Sequence, residues 1–60
     1  MSVAPWEYWA VANMLVSTHG DHAEEKAQFK ITEARENNDA AEVIVWTAIL
    51  AKIDAVRSQQ

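Results

Sequence analysis

The sequence contains no cysteine, one glycine and one proline. Without cysteine, the chain can form neither a disulfide nor a thiolate metal site. A domain of this size must then take its stability from close helix packing or from association with another chain. Pro5 suits the first turn of a helix and Gly20 suits the end of one. These two residues therefore indicate helix boundaries, and little else in the sequence favours loops.

Basic residues and long apolar runs are also scarce. Five Lys and Arg residues face nine Asp and Glu residues, which gives a net charge of −4. Because nucleic-acid binding depends on cationic neutralisation of phosphate, we expect no direct nucleic-acid partner. No apolar run approaches the roughly 20 residues of a membrane span, and the first residues lack the pattern of a signal peptide. We therefore expect a cytoplasmic protein with no membrane partner.

Apolar residues make up half of the 60 residues, and three of them are Trp. This composition disfavours disorder, since disordered chains are poor in large apolar side chains. The length allows one domain, spanning residues 1–60. The sequence predicts an all-α fold, a compact three-helix bundle with helices at about 5–18, 22–36 and 40–57. An intertwined helical dimer is an alternative arrangement of the same helices.

Capping patterns support these boundaries. Asp21 with Glu24, and Asp39 with Glu42, each place an acceptor at a helix start and a Glu three residues later. The first pattern follows Gly20, and the second follows two asparagines that favour turns. Both patterns predict a helix that begins at the residue after the aspartate.

The third helix carries two apolar sides. At about 100° per residue, one side is the expected core face. It consists of Val45, Trp46, Ile49, Ile53 and Val56. The second side, called here the Ala41–Ala55 stripe, has the spacing of a helix–helix seam. It consists of Ala41, Ile44, Ala48, Ala51 and Ala55. Either α-helices of the same chain cover both sides, or the stripe meets another chain.

Large aromatic residues lie both on and off the apolar faces. Trp9 and Trp46 fall on apolar faces, and we expect both in the core. Trp6 and Phe29 lie off the main faces, which makes them candidate interaction residues, since Trp is enriched at binding hot spots. Trp6 could instead fold over the open end of the bundle.

Few residues favour catalysis or metal binding. His19, Asp21 and His22 are metal-ligand types close in sequence, but helix ends and turns account for each of them. The chain has no nucleophilic cysteine and no Gly-rich phosphate loop. We therefore expect a protein that is not an enzyme and uses no cofactor, with only a weak candidate metal site.

One pattern resembles a known group of proteins. It combines Trp9, the turn His19-Gly20-Asp21 with Ala23, and Asp39, and it ends with Trp46 followed by Ile49 and Ile53. Short bacterial all-α proteins of unknown function share such a Trp, a His-Gly-Asp-x-Ala turn and a last helix that opens with Trp. The resemblance spans residues 6 to 57, although the middle helix is more charged here. It implies a helical fold and no particular activity.

Two functions fit these features. The first is a protein-interaction module, self-associating as a homodimer through the Ala41–Ala55 stripe or through Trp6 and Phe29. The second is a small acidic inhibitor from a phage or mobile element, of the anti-CRISPR or nucleic-acid-mimic type, that binds a basic protein surface. Its acidic surface would consist of Glu24, Glu25, Glu33, Glu36 and Asp39.

Overall fold

Helices account for almost all of the chain that the computed structural model describes, residues 5–58. Helix α1 spans Pro5–His19, a 3-10 turn spans Gly20–His22, α2 spans Ala23–Glu36 and α3 spans Ala40–Ser58. No strand occurs within these residues. The predicted all-α class is confirmed, and each predicted helix boundary lies within one residue of the observed one.

The helical residues form two uninterrupted runs, 5–36 and 40–58. A 3-10 turn rather than a loop joins α1 to α2, whereas residues 37–39 interrupt the helices between α2 and α3. The predicted separation into three helices is therefore clear at residues 37–39 and only partial at residues 20–22.

The turn between α1 and α2 depends on Gly20. Its φ is +55°, and a Cβ at this position would meet no atom within 4 Å. The left-handed backbone therefore favours glycine here, although the surroundings would have room for a side chain. The predicted cap at Asp21 is wrong: Asp21 lies inside the 3-10 turn, and His22 precedes α2 without any side-chain cap. The 3-10 turn itself supplies a bond, from the Ala23 N–H to the Gly20 carbonyl.

The junction between α2 and α3 satisfies the backbone at both helix ends. Asn38 is left-handed, with φ of 56°. Its N–H donates to the Arg35 carbonyl over 3.1 Å, and the Asp39 N–H donates to the Ala34 carbonyl over 2.8 Å. This pair of bonds is a Schellman motif, which ends α2. Asp39 then caps α3, since its Oδ1 accepts the Glu42 N–H over 3.1 Å, as predicted.

Helix α3 lies at the centre of the packing. It contacts both α1 and α2 extensively, while α1 and α2 contact each other little. The core between them is built largely from alanine and branched aliphatic residues, which allows the helices to approach closely. The buried core cluster consists of Ala12, Leu15, Val16, Ala23, Ala27, Ile49, Ile53 and Val56. Ile31 and Ala34 of α2 are also buried.

The two core tryptophans predicted from the sequence are only partly buried. Trp9 is 37 % exposed, and the Lys52 ammonium lies 5.0 Å from the centroid of its ring. Trp46 is half-buried against the core, and its Nε1–H donates to Glu42 Oε2 over 2.9 Å. The placement of Trp9 in the core is therefore wrong, because the ring lies at the edge of the α1–α3 contact, where a lysine covers it.

The packed helices measure 34 × 23 × 15 Å, with a Cα radius of gyration of 11.2 Å. A compact domain of this length is expected to have a radius of gyration of about 10 Å, so the chain is compact. Among residues 5–58, no helix is long and apolar enough to cross a membrane.

Candidate protein-interaction surface

The Ala41–Ala55 stripe runs along the side of α3 that α1 and α2 leave open. Ile44 is 68 % exposed, whereas Ile49 and Ile53 on the core side are almost completely buried. Ala41 and Ala51 are exposed, and Ala48 and Ala55 are half-buried. Helix α3 is therefore central and still presents a second apolar face to its surroundings.

A cleft of about 450 Å³ lies beside Ile44, where the end of α2 meets the first turns of α3. Its lining is mainly apolar, with one basic and one acidic side chain at its edge. The lining residues are Arg35, Asn38, Asp39, Ala40, Val43 and Ile44. Because Ile44 belongs to both features, the cleft widens the Ala41–Ala55 stripe toward α2.

Charged side chains flank this apolar surface. Arg35 and Asp54 are both exposed, and neither forms an ion pair with the rest of residues 5–58. Lys52 lies on the opposite flank of the stripe from Asp54, and Trp9 holds its ammonium group. The stripe itself contains no charge, so the surface is an apolar strip with charged borders.

The two predicted aromatic contact residues are exposed but lie on other helices. Trp6 of α1 is 68 % exposed and Phe29 of α2 is 64 % exposed. Phe29 borders a shallow cleft of about 270 Å³ whose other lining residues, Glu25 and Lys26, also belong to α2. This cleft shares no residue with the one beside Ile44.

Basic side chains interrupt the predicted acidic surface. Glu24 is half-buried and binds Arg57, while Glu25 lies 3.4 Å from the His22 ring nitrogen and Glu33 lies 3.9 Å from the Lys30 ammonium. The remaining two carboxylates make no ion pair within residues 5–58, and that of Asp39 caps α3. The five carboxylates therefore do not form one continuous negative face.

Arg57 ties the end of α3 to the start of α2. Its guanidinium binds Glu24 of α2 and lies 3.2 Å from Asp21 in the 3-10 turn. The arginine side chain is 35 % exposed, so water screens the charges only in part. Arg57 therefore joins α3 to both α2 and the 3-10 turn.

The weak candidate metal site is dispersed. Asp21 faces Arg57, and the His22 ring faces Glu25. Across residues 5–58, no group of three or more His, Asp or Glu side chains lies close enough to hold a metal ion. The structure therefore does not bring His19, Asp21 and His22 together as ligands.

Several contacts within the folded chain were not predicted from the sequence. The bond between Glu42 and Trp46 has an i, i+4 spacing, a signal that the sequence carries. The contacts of Arg57 join residues 33 and 36 positions apart, so no local pattern indicates them. The cleft beside Ile44 depends on how α2 and α3 cross, which residue spacing alone does not specify.

Comparison with protein families, with curated proteins and with solved structures finds no match for this chain.

Proposed function

We propose that this chain is a non-enzymatic protein-interaction module that forms a homodimer through the Ala41–Ala55 stripe. The observation that carries the proposal is the exposure of Ile44, at 68 %, on an uncharged face of the central helix. An exposed apolar face bordered by polar residues is typical of a binding surface. Its occupant is a second copy of the same face.

The packing within one chain supports a dimer of this kind. Helix α3 already receives α1 and α2 on its core side, which leaves one apolar face of α3 without a partner in the same chain. The core is covered without exchange of helices between chains. Two such units can therefore meet surface to surface, and the intertwined arrangement is not needed.

Alanine on the stripe favours helix–helix contact. Small side chains let two helix axes approach to about 8 Å, the short end of the usual range. The stripe spans residues 41–55, which is about 21 Å of helix. A contact of this length and one helix in width falls below the roughly 800 Å² per partner of a standard interface. We therefore expect a weak dimer, with a dissociation constant in the micromolar range or above.

The inhibitor hypothesis has less support. It needs a broad negative surface to meet a basic partner, whereas Glu24, Glu25 and Glu33 each lie beside a basic side chain of the same chain. The exposed apolar face of α3 also has no role in such a mimic. We therefore retain the homodimer as the proposed function.

Sedimentation velocity from about 0.5 µM to 1 mM tests the proposal, because this range brackets dissociation constants across the micromolar range. The expected result is a sedimentation coefficient that rises with concentration toward that of a dimer. Ile44→Glu and Ala48→Glu place a carboxylate on the stripe and should keep the chain monomeric at all concentrations. Circular dichroism should show unchanged helix content in both variants, since neither residue belongs to the core cluster.

Two further variants serve as controls. Met14 of α1 is an exposed apolar residue away from α3, so Met14→Glu should leave association unchanged. Phe29→Glu tests whether the exposed aromatic side chain of α2 forms the dimer interface instead of the stripe. A wild-type chain that stays monomeric at 1 mM overturns the proposal. Loss of the dimer in Phe29→Glu but not in Ile44→Glu assigns the interface to α2 instead.

A further inference from the structure

The charges that border the stripe differ in sign between the two ends of α3. Arg35 lines the cleft beside the first turns of α3, and Asp54 lies near its last turns. At about 100° per residue, Asp54 falls on the same flank of the stripe as Ala40 and Val43, which line that cleft. One flank therefore carries a positive charge at one end and a negative charge at the other.

A two-fold axis can place the positive end of this flank in one chain beside the negative end of the same flank in the other chain. In a parallel pair, opposite flanks of the two stripes meet, so Asp54 would lie beside Lys52 of the partner subunit, and neither Arg35 would have an Asp54 at its level. In an antiparallel pair, the first turns of one α3 lie beside the last turns of the other. From this we infer that the homodimer is antiparallel, with Arg35 of each chain paired with Asp54 of the partner subunit. This inference rests on the proposed homodimer.

The same orientation gives a favourable apolar register. When Ile44 lies opposite Ala55 of the partner subunit, Ala48 lies opposite Ala51 of the partner subunit, and the single large side chain of the stripe meets a small one. The axis then places Asp54 of the partner subunit at the level of Val45, about 1.5 Å along the helix from Ile44. Arg35 lines the same cleft as Ile44, so it lies close to this level.

The first experiment reverses the charges. Arg35→Asp and Asp54→Arg each replace two symmetric attractions with two repulsions, so each should raise the dimer dissociation constant about tenfold or more. The double variant restores opposite charges and should return the constant to within about threefold of the wild-type value. Lys26→Asp makes the same change in net charge on α2, away from the cleft, and should alter the constant by less than about twofold.

The second experiment reports orientation directly and uses the absence of cysteine. In the antiparallel register, a mixture of Ile44→Cys and Ala55→Cys chains should form a disulfide-linked heterodimer under mild oxidation. Ile44→Cys alone should not cross-link, because its two copies lie about 16 Å apart along the axis, beyond disulfide reach. Gln28→Cys, exposed on α2, sets the background level of cross-linking.

The outcomes separate this inference from the proposed function. A monomeric wild-type chain overturns both. A dimer that cross-links efficiently through Ile44→Cys alone overturns the antiparallel arrangement and leaves the homodimer intact. A dimer whose affinity is unchanged by both charge reversals, or is not restored in the double variant, overturns the pairing of Arg35 with Asp54.

Discussion

The Lys52 ammonium lies 5.0 Å from the centroid of the Trp9 ring, so α3 holds α1 by a cation over an aromatic face. Such contacts contribute about 0.5–1 kcal/mol at exposed sites. Lys52→Met keeps most of the aliphatic stem and removes the charge, and it should lower the free energy of unfolding by this amount.

Chemical denaturation of Lys52→Met measures the difference. Lys26→Met is the matched control, since Lys26 is exposed and forms no ion pair within residues 5–58. A double-mutant cycle with Trp9→Leu isolates the pair. Equal losses in the presence and absence of the Trp9 ring would show that the contact does not stabilise the fold.

Neighbouring glutamates of α2 should differ in their contribution to stability. Glu24 is half-buried and binds Arg57, whereas Glu25 is exposed and faces only His22. Glu24→Gln should lower the free energy of unfolding by about 1 kcal/mol, and Glu25→Gln by less than about 0.5 kcal/mol. Thermal unfolding at low salt measures both, and 1 M NaCl should reduce the gap because salt screens the ion pair. A larger loss in Glu25→Gln would contradict the assigned contact.

Two isoleucines of α3 provide a matched test of its two faces. Ile53 is completely buried and Ile44 is largely exposed. Ile53→Ala should cost about 2–5 kcal/mol, which is comparable with the whole stability of a domain this small. Ile44→Ala should change the stability of the monomer by less than about 0.5 kcal/mol. Denaturation below the association range compares them, and similar losses would mean that Ile44 is buried within the monomer.

The two aspartates that precede helices should also behave differently. Asp39 Oδ1 accepts the Glu42 N–H, while Asp21 accepts no backbone bond of this kind. Asp39→Ala should therefore cost about 1 kcal/mol. Asp21→Ala removes only an exposed contact with Arg57 and should cost about half of that or less. The urea midpoints of the two variants measure these losses. A larger loss in Asp21→Ala than in Asp39→Ala would mean that Asp21 caps α2, as the sequence predicts.

The sequence predicts the helices well because their signals are local. Turn residues mark the two junctions, and the core side of α2 follows from the spacing of Ala23, Ala27, Ile31 and Ala34, which are all buried. The predicted cap at Asp21 is wrong because the backbone forms a 3-10 turn over Gly20–His22, which places Asp21 inside the turn. The placement of Trp9 in the core is wrong because the width of the α1–α3 contact determines how much of its ring is buried.

The candidate surface was predictable in part. The spacing of the stripe indicates a second apolar face, but it does not say whether α1 or α2 covers it. That depends on the position of both helices around α3, which arises from packing across the whole chain. The cleft beside Ile44 and the two flanking charges likewise require the arrangement of α2 against α3.

The central position of α3 also determines the order in which the molecule can fold. Because α1 and α2 contact each other little, neither gives the other much of an apolar partner. The ribosome nevertheless synthesises both before α3. During translation, α1 and α2 therefore emerge with exposed alanine and aliphatic faces, and most of the core can form only after α3 is synthesised.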